Sequence, residues 1–231
     1  MHKLCIIPAR GGSKRIPRKN IKLFLGKPII AYSIEAATAS GLFDEIMVST
    51  DDEEIAEIAK RYGAKVPFFR SKKNADDYAT TIEVVKEVVD TYKKAGAEFQ
   101  HICCLYPCAP FVTANKIQEA YTELLRGKYD SVFPVLEYSF PIQRAMRFST
   151  DKKIEMIQKE YIITRSQDLE KTYHDAGQFY WMQTQKVLPA EKLFTDNSGA
   201  IIITELEGQD IDNEMDWKLA ELKFKLRQNE K

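Results

Sequence analysis

At 231 residues, with 44% apolar and 29% charged residues, the chain has the make-up of an ordinary globular protein and the length for one good-sized α/β core. Its 34 basic and 34 acidic residues cancel to zero net charge, which excludes a general nucleic-acid binder and makes any basic site local. No apolar run approaches the ~20 residues that cross a bilayer, so no membrane partner is expected. Met1 leads straight into a strand pattern, and no signal peptide is expected. Cys5, Cys103, Cys104 and Cys108 lack the spacing of a zinc or redox pair, and the adjacent two point to opposite faces of a strand. They are expected as buried free thiols in a reducing cytoplasm.

In chain order, Leu4 to Pro8 is an apolar run suited to a buried strand. A turn loaded with glycine and cations follows, and residues 28–40 read as a helix with Pro28 at its first turn and Gly41 past its end. Residues 45–50 form the next strand, with Thr50 or Asp51 as the cap of a helix that stops at Gly63. A short strand is expected over 66–69, then a polar loop opened by Arg70. Residues 80–94 carry Ile82, Val85, Val88, Val89 and Tyr92 at helical spacing. Strand 101–106, helix 113–125 and strand 130–135 continue the alternation. The pattern loosens over about 137–172, regains strand character at 177–182 and 200–204, and closes with a helix over 216–227. Alternating strands and helices imply right-handed crossovers and a mostly parallel sheet, with ligands at the carboxyl ends of its strands. The loops at Arg10, Asp51, Arg70 and Pro107 are therefore expected along one edge. The chain reads as one domain, 1–231, carrying an arm.

Two features carry chemistry on their own terms. Arg10, Lys14, Arg15, Arg18 and Lys19 crowd one loop at the end of a buried strand, with no acid among them. Such a loop favours an anion, and strand, glycine loop and helix together form a layout that holds phosphates. Neither GxxxxGK[ST] nor GxGxxG is present. Asp210 and Asp212 alternate, which puts both carboxylates on one side of an extended segment, where a cation relieves their repulsion.

The apolar strand followed by Ala9, Arg10, Gly12, Ser13, Lys14, Lys19, Asn20, Gly26, Lys27 and Pro28 resembles the N-terminal signature of the CMP-sugar synthetases. These are the cytidylyltransferases that activate nonulosonic and ulosonic acids. The resemblance spans most of the chain and implies a three-layer, Rossmann-like nucleotidyltransferase fold. It also implies CTP as co-substrate, Mg2+ as cofactor, a nonulosonic acid as acceptor, and a homodimer through the 137–172 arm. It assigns Arg10, Lys14 and Lys19 to the triphosphate, Asn20, Arg70, Ala79 and Thr81 to the nucleoside, and Ala9, Gly12 and Ser13 to CTP binding as well. Asp210 and Asp212 are assigned to the metal. Arg165, Asp175 and Gln178 fall in a stretch similar to the acceptor-binding one. At Tyr106-Pro107-Cys108-Ala109-Pro110 the chain departs from the Gln-Pro-Thr-Ser-Pro of sialic acid synthetases, which implies an altered sugar pocket with Tyr106 facing the acceptor. The later details look most like the members that activate pseudaminic acid. His174 is a candidate base, and Asp216 reads as the start of the last helix.

Overall fold

A computed structural model describes residues 2–229. The strands are β1 (Lys3–Pro8), β2 (Leu23–Phe24), β3 (Lys27–Pro28), β4 (Glu45–Ser49), β5 (His101–Leu105), β6 (Ser131–Glu137), β7 (Met146–Phe148), β8 (Ile154–Met156), β9 (Tyr173–Asp175), β10 (Phe179–Gln183) and β11 (Ser198–Ile203). The helices are α1 (Ile29–Ser40), α2 (Glu53–Arg61), α3 (Thr81–Lys94), α4 (Ala114–Arg126), α5 (Thr184–Ala190) and α6 (Glu214–Asn229).

Among the described residues, seven strands form the main sheet in the order β11-β6-β10-β5-β1-β4, with β9 on β6. β1 pairs parallel with β4 and β5, and β11 parallel with β6; β10 runs antiparallel to both of its neighbours. The side-chain period of two sends Cys5, Ile7, Cys103 and Trp181 to one face, against α1, α2 and α4. Leu4, Ile6, Cys104 and Tyr180 go to the other, against α3 and α5. Cys103 and Cys104 thus part to opposite faces as expected, and all four thiols are free.

Most helix ends follow local chemistry. Thr80 caps α3 in a reciprocal box with Glu83, and Thr113 caps α4. Asp52, rather than Thr50 or Asp51, caps α2 through Ile55 N. Residues 66–69 do not form the expected strand. Lys65 makes one bridge to Met47, and Pro67 then removes the donor that a ladder needs. Residues 138–172 leave the main sheet as single helical turns and the β7–β8 hairpin.

A third apolar cluster closes the two ends of the chain on each other. Ile16 from the cation loop, Phe24 from β2, Phe111 from the turn before α4, and Ile211 and Trp217 from the C-terminal segment pack together. Phe24 meets Trp217 and Phe224 edge to face, at 5.7 and 5.6 Å between ring centres. Ile16 is the one apolar anchor inside the run of cations and is fully buried. Ile16→Ala is expected to cost about 2–5 kcal/mol in urea denaturation. A loss under about 0.5 kcal/mol, the scale of a surface change, would mean the cluster does not hold the loop.

Candidate active site

The strand ends bring the predicted loops to one edge. Ala9 N donates to Ser49 O at 2.9 Å, Gly11 N to Asp51 Oδ1 at 2.9 Å, and Arg70 N to Thr50 O at 2.8 Å. A cavity of about 240 Å³ opens there, walled by Arg10, Arg70, Asp77, Ala79, Thr81 and Tyr106 among others. Five residues assigned to the nucleotide or acceptor thus meet around one space. Four larger hollows, of about 450, 480, 270 and 490 Å³, include none of the predicted site residues.

Arg70 is buried at 8% exposure. Its Nε donates to Ser49 Oγ at 3.1 Å and its Nη2 to Ser49 O at 2.6 Å, so the guanidinium is held in one orientation. Burial lowers its pKa, while Asp51 and Glu87 act in the opposite sense. A fixed, buried arginine and the backbone of Ala79 line the same cavity and offer donors and an acceptor to it, which suits a pyrimidine edge.

At the inner wall, Tyr106 OH and Thr81 Oγ1 lie 3.0 Å apart, and the rings of Tyr106 and Tyr180 meet at 5.6 Å. Desolvation pushes the Tyr106 hydroxyl up to about 12, which keeps it neutral and available as both donor and acceptor. Tyr180 OH donates to Asp175 Oδ2 at 2.5 Å, and burial raises the Tyr180 hydroxyl as well. Asp175 also takes Gly177 N at 2.8 Å, so its carboxylate is fixed from two sides. Tyr180 ends the stretch similar to the acceptor-binding one but carries no site assignment from the sequence; the strand alternation turns it to the face of Cys104.

The cation loop differs from the sequence-based picture. The like charges are not left to repel each other, because acids from distant segments answer them. Arg10 pairs with Asp77 at 2.9 Å and Lys14 with the other oxygen of the same carboxylate. Arg15 pairs with Asp212 at 2.7 Å. Arg18 grips Asp52 at 2.5 and 2.9 Å and Glu54 at 2.5 Å. Lys19 donates to Ile211 O at 2.7 Å and stands 3.9 Å from Asp212. Gly11 is required by this packing, since a Cβ there would lie 2.8 Å from Asp52 Oδ2. A Cβ at Gly12 would meet open space. Ser13 N donates to Gly11 O at 3.0 Å, which curls the loop.

Asn20 is buried and donates to Arg10 O at 2.8 Å, while Cys108 Sγ donates to its carbonyl at 3.2 Å. The amide therefore braces the loop. Gln178, also buried, donates to Glu207 O at 2.6 Å and braces the segment leading to Asp210. Arg165 lies in the arm, paired with Asp168 at 2.7 Å, and is not brought beside the cavity. His174 is exposed, with Nδ1 2.9 Å from Asp175 O. Asp216 caps backward onto Asp212 N and Asn213 N, as its place in the first turn of α6 suggests.

Asp210 is held above the ordinary carboxylate range, first by desolvation and then by Asp212, with Lys19 pulling the other way. Among the described residues no cluster of three or more His, Cys, Asp or Glu side chains is arranged around a metal position. Asp212 acts on Asp210 as a like charge, and a carboxylate pair of this kind suits a hard divalent cation that completes its shell with phosphate oxygens and water.

Residues 4–213 match the family model described as cytidylyltransferase. The chain is 43% identical over 226 residues to pseudaminic acid cytidylyltransferase of Campylobacter jejuni, covering 98% of this chain and 97% of that one. It is 32% identical over 235 residues to CMP-N,N'-diacetyllegionaminic acid synthase of Legionella pneumophila, covering 99% and 98%. Its fold matches a CMP:2-keto-3-deoxy-manno-octonic acid synthetase solved with CTP, at TM-score 0.69 and 15% identity over 99% of this chain and all of that one. The chain belongs to the cytidylyltransferase family and is a nucleotidyltransferase of α/β fold.

The Arg18–Asp52 pair gives the site a pH signature. Asp52 is held below its ordinary value of 3.8, chiefly by the hydrogen bond from Arg18. A carboxyl depressed in the folded state stabilises the fold above its unfolded value, and that stability fades as pH falls through the folded one. Urea denaturation in steps from about pH 5 to pH 2 is expected to show wild type losing stability faster below about pH 4 than Arg18→Ala. Parallel curves would mean the pair adds nothing to the fold.

Proposed function

We propose that this chain transfers CMP from CTP to the anomeric hydroxyl of a nonulosonic acid, with pseudaminic acid as the acceptor, and releases pyrophosphate. The gathering of Arg10, Arg70, Ala79, Thr81 and Tyr106 around one cavity carries the reading. The near full-length similarity to a relative named for pseudaminic acid supports that choice of sugar. Tyr106, in place of the glutamine of sialic acid synthetases, supports it too.

In-line attack on the α-phosphorus asks the protein for positioning and charge neutralisation rather than covalent help. Arg70, Ala79 and Thr81 hold the cytosine, and Asn20 keeps the loop beneath the nucleoside in place. Ala9, Gly12 and Ser13 shape the backbone of the phosphate loop. Arg10, Lys14 and Lys19 face the triphosphate and the charge that builds on the leaving pyrophosphate. Tyr106 and Asp175 orient the acceptor from the ends of β5 and β9, while Gln178 braces the segment that leads to Asp210. Asp210 and Asp212 hold magnesium, which when bound polarises the phosphoryl oxygens and offsets their charge.

Pyrophosphate release from CTP with magnesium is expected with pseudaminic acid, and at a rate at least tenfold lower with N-acetylneuraminic acid, on the order of what one altered pocket contact can do. Equal rates would remove the sugar assignment. Lys19→Ala is expected to lose about 100-fold in turnover while remaining folded. Normal turnover by that variant would remove the loop from the chemistry.

We also infer a cytoplasmic homodimer joined through the arm. Phe140, Phe148, Ile162 and Ile163 there are 82%, 75%, 63% and 90% exposed, a density of apolar surface that a second copy would cover. Light scattering is expected to give twice the chain mass, and Phe148→Glu with Ile163→Glu to give the single mass. A single mass for wild type removes the dimer.

A further inference from the structure

The 76–79 loop contains two adjacent acids with different work. Asp76 folds its own loop, its Oδ1 accepting from Tyr78 N at 2.9 Å and Ala79 N at 2.8 Å. Asp77 instead reaches across to the cation loop. One of its carboxylate oxygens faces Arg10 Nη1 at 2.9 Å and the other pairs with Lys14 Nζ. Arg10 Nη1 also donates to Asp76 O at 2.7 Å. A single carboxylate thus bridges two cations much as a phosphate oxygen pair does. It does so from the segment that carries Ala79 and Thr81, so the phosphate loop and the base-facing loop are tied by one side chain.

We propose that Asp77 is the resident counter-ion of the phosphate site: it occupies Arg10 and Lys14 in the free protein, and polyphosphates must exchange with it. This rests on reading those two cations as phosphate ligands. The pair is built for exchange. The side chains of Arg10, Lys14 and Asp77 are 35%, 78% and 38% exposed, so solvent screens the attraction and little is lost when a more highly charged anion replaces the carboxylate. The exchange also runs backward. After transfer, the returning carboxylate competes with pyrophosphate for the same two cations and speeds its departure. Asp77 then lowers the affinity for CTP and for pyrophosphate alike, and leaves recognition of the base untouched.

Calorimetric titration of CTP, pyrophosphate and cytidine into wild type, Asp77→Asn and Arg10→Ala tests this. Asp77→Asn is expected to bind CTP and pyrophosphate about two- to tenfold tighter, the range of one or two exposed ion pairs, with cytidine unchanged. Affinities for CTP and pyrophosphate are read relative to cytidine, so a disturbed loop in the variant does not hide the answer. Unchanged or weaker binding of both anions relative to cytidine overturns the proposal, the weaker case making Asp77 a group that positions the two cations. Arg10→Ala separates the premises. If it leaves pyrophosphate binding unchanged, the phosphate site itself is misplaced. If it weakens pyrophosphate binding while Asp77→Asn fails to tighten it, only the counter-ion role falls.

Discussion

The site depends on an apolar contact between chain segments nearly 200 residues apart in sequence. Ile16 sits in the middle of the cation loop, and Ile211 lies between Asp210 and Asp212, the two acids proposed to hold the metal; both isoleucines are buried in one cluster with Phe24, Phe111 and Trp217. Attraction between Lys19 and Asp212 alone would be a poor tether, since a partly exposed ion pair contributes on the order of 1 kcal/mol or less. Full burial of two isoleucines contributes about 1.5–3 kcal/mol each and tolerates little displacement. Charge therefore does not bring the loop to the acids. Packing does, and the charges occupy the geometry that packing leaves them. Lys19 donating to Ile211 O illustrates this, because its partner is the backbone of the buried residue itself.

Within that geometry acids from elsewhere in the chain answer most of the loop's positive charge. Each of the five loop cations has an acid partner, supplied by Asp77, Asp212, Asp52 and Glu54. The acids differ in kind. Asp52 also caps α2 and lies against Gly11, so its grip on Arg18 is built into the frame. The side chains of Asp77 and Asp212 are partly exposed, and their partners include the cations proposed to hold phosphate. A frame of fixed pairs and a set of exchangeable ones lets a strongly basic loop exist without ligand in a chain of zero net charge, and still receive a polyanion.

This division explains what the sequence disclosed. Strands, helices and the cation loop were legible because their determinants are local: apolar period, caps at Thr80 and Thr113, glycine at 41. The convergence of Arg10, Arg70 and Tyr106 followed from the rule that parallel strands end at one edge. The answering acids were not legible, since nothing local in Asp77 or Asp212 says which cation it meets. Residues 66–69 misled because Val66, Phe68 and Phe69 are apolar enough for a strand, while Pro67 breaks the ladder. Asn20 and Gln178 show a different limit. Their polar side chains suggested ligand contacts, yet each is buried with a backbone carbonyl as partner, a bracing role that spacing does not reveal.

The antiparallel β10 adds the last element of the logic. The phosphate loop follows β1, and Arg70 is held by the end of β4, both in the parallel part of the sheet. The proposed acceptor side draws on the end of β5, on β9 and on β10, and β10 enters the sheet from the opposite direction. Because β10 starts where β5 ends, Tyr180 and the Asp175–Gly177 turn arrive at the carboxyl edge without a further crossover. The two halves meet at the hydroxyls of Thr81 and Tyr106, 3.0 Å apart. A residue change on β9 or β10 can therefore reshape the proposed acceptor side and leave the cation loop undisturbed, whereas the turn after β5 also braces that loop through Cys108 and Phe111.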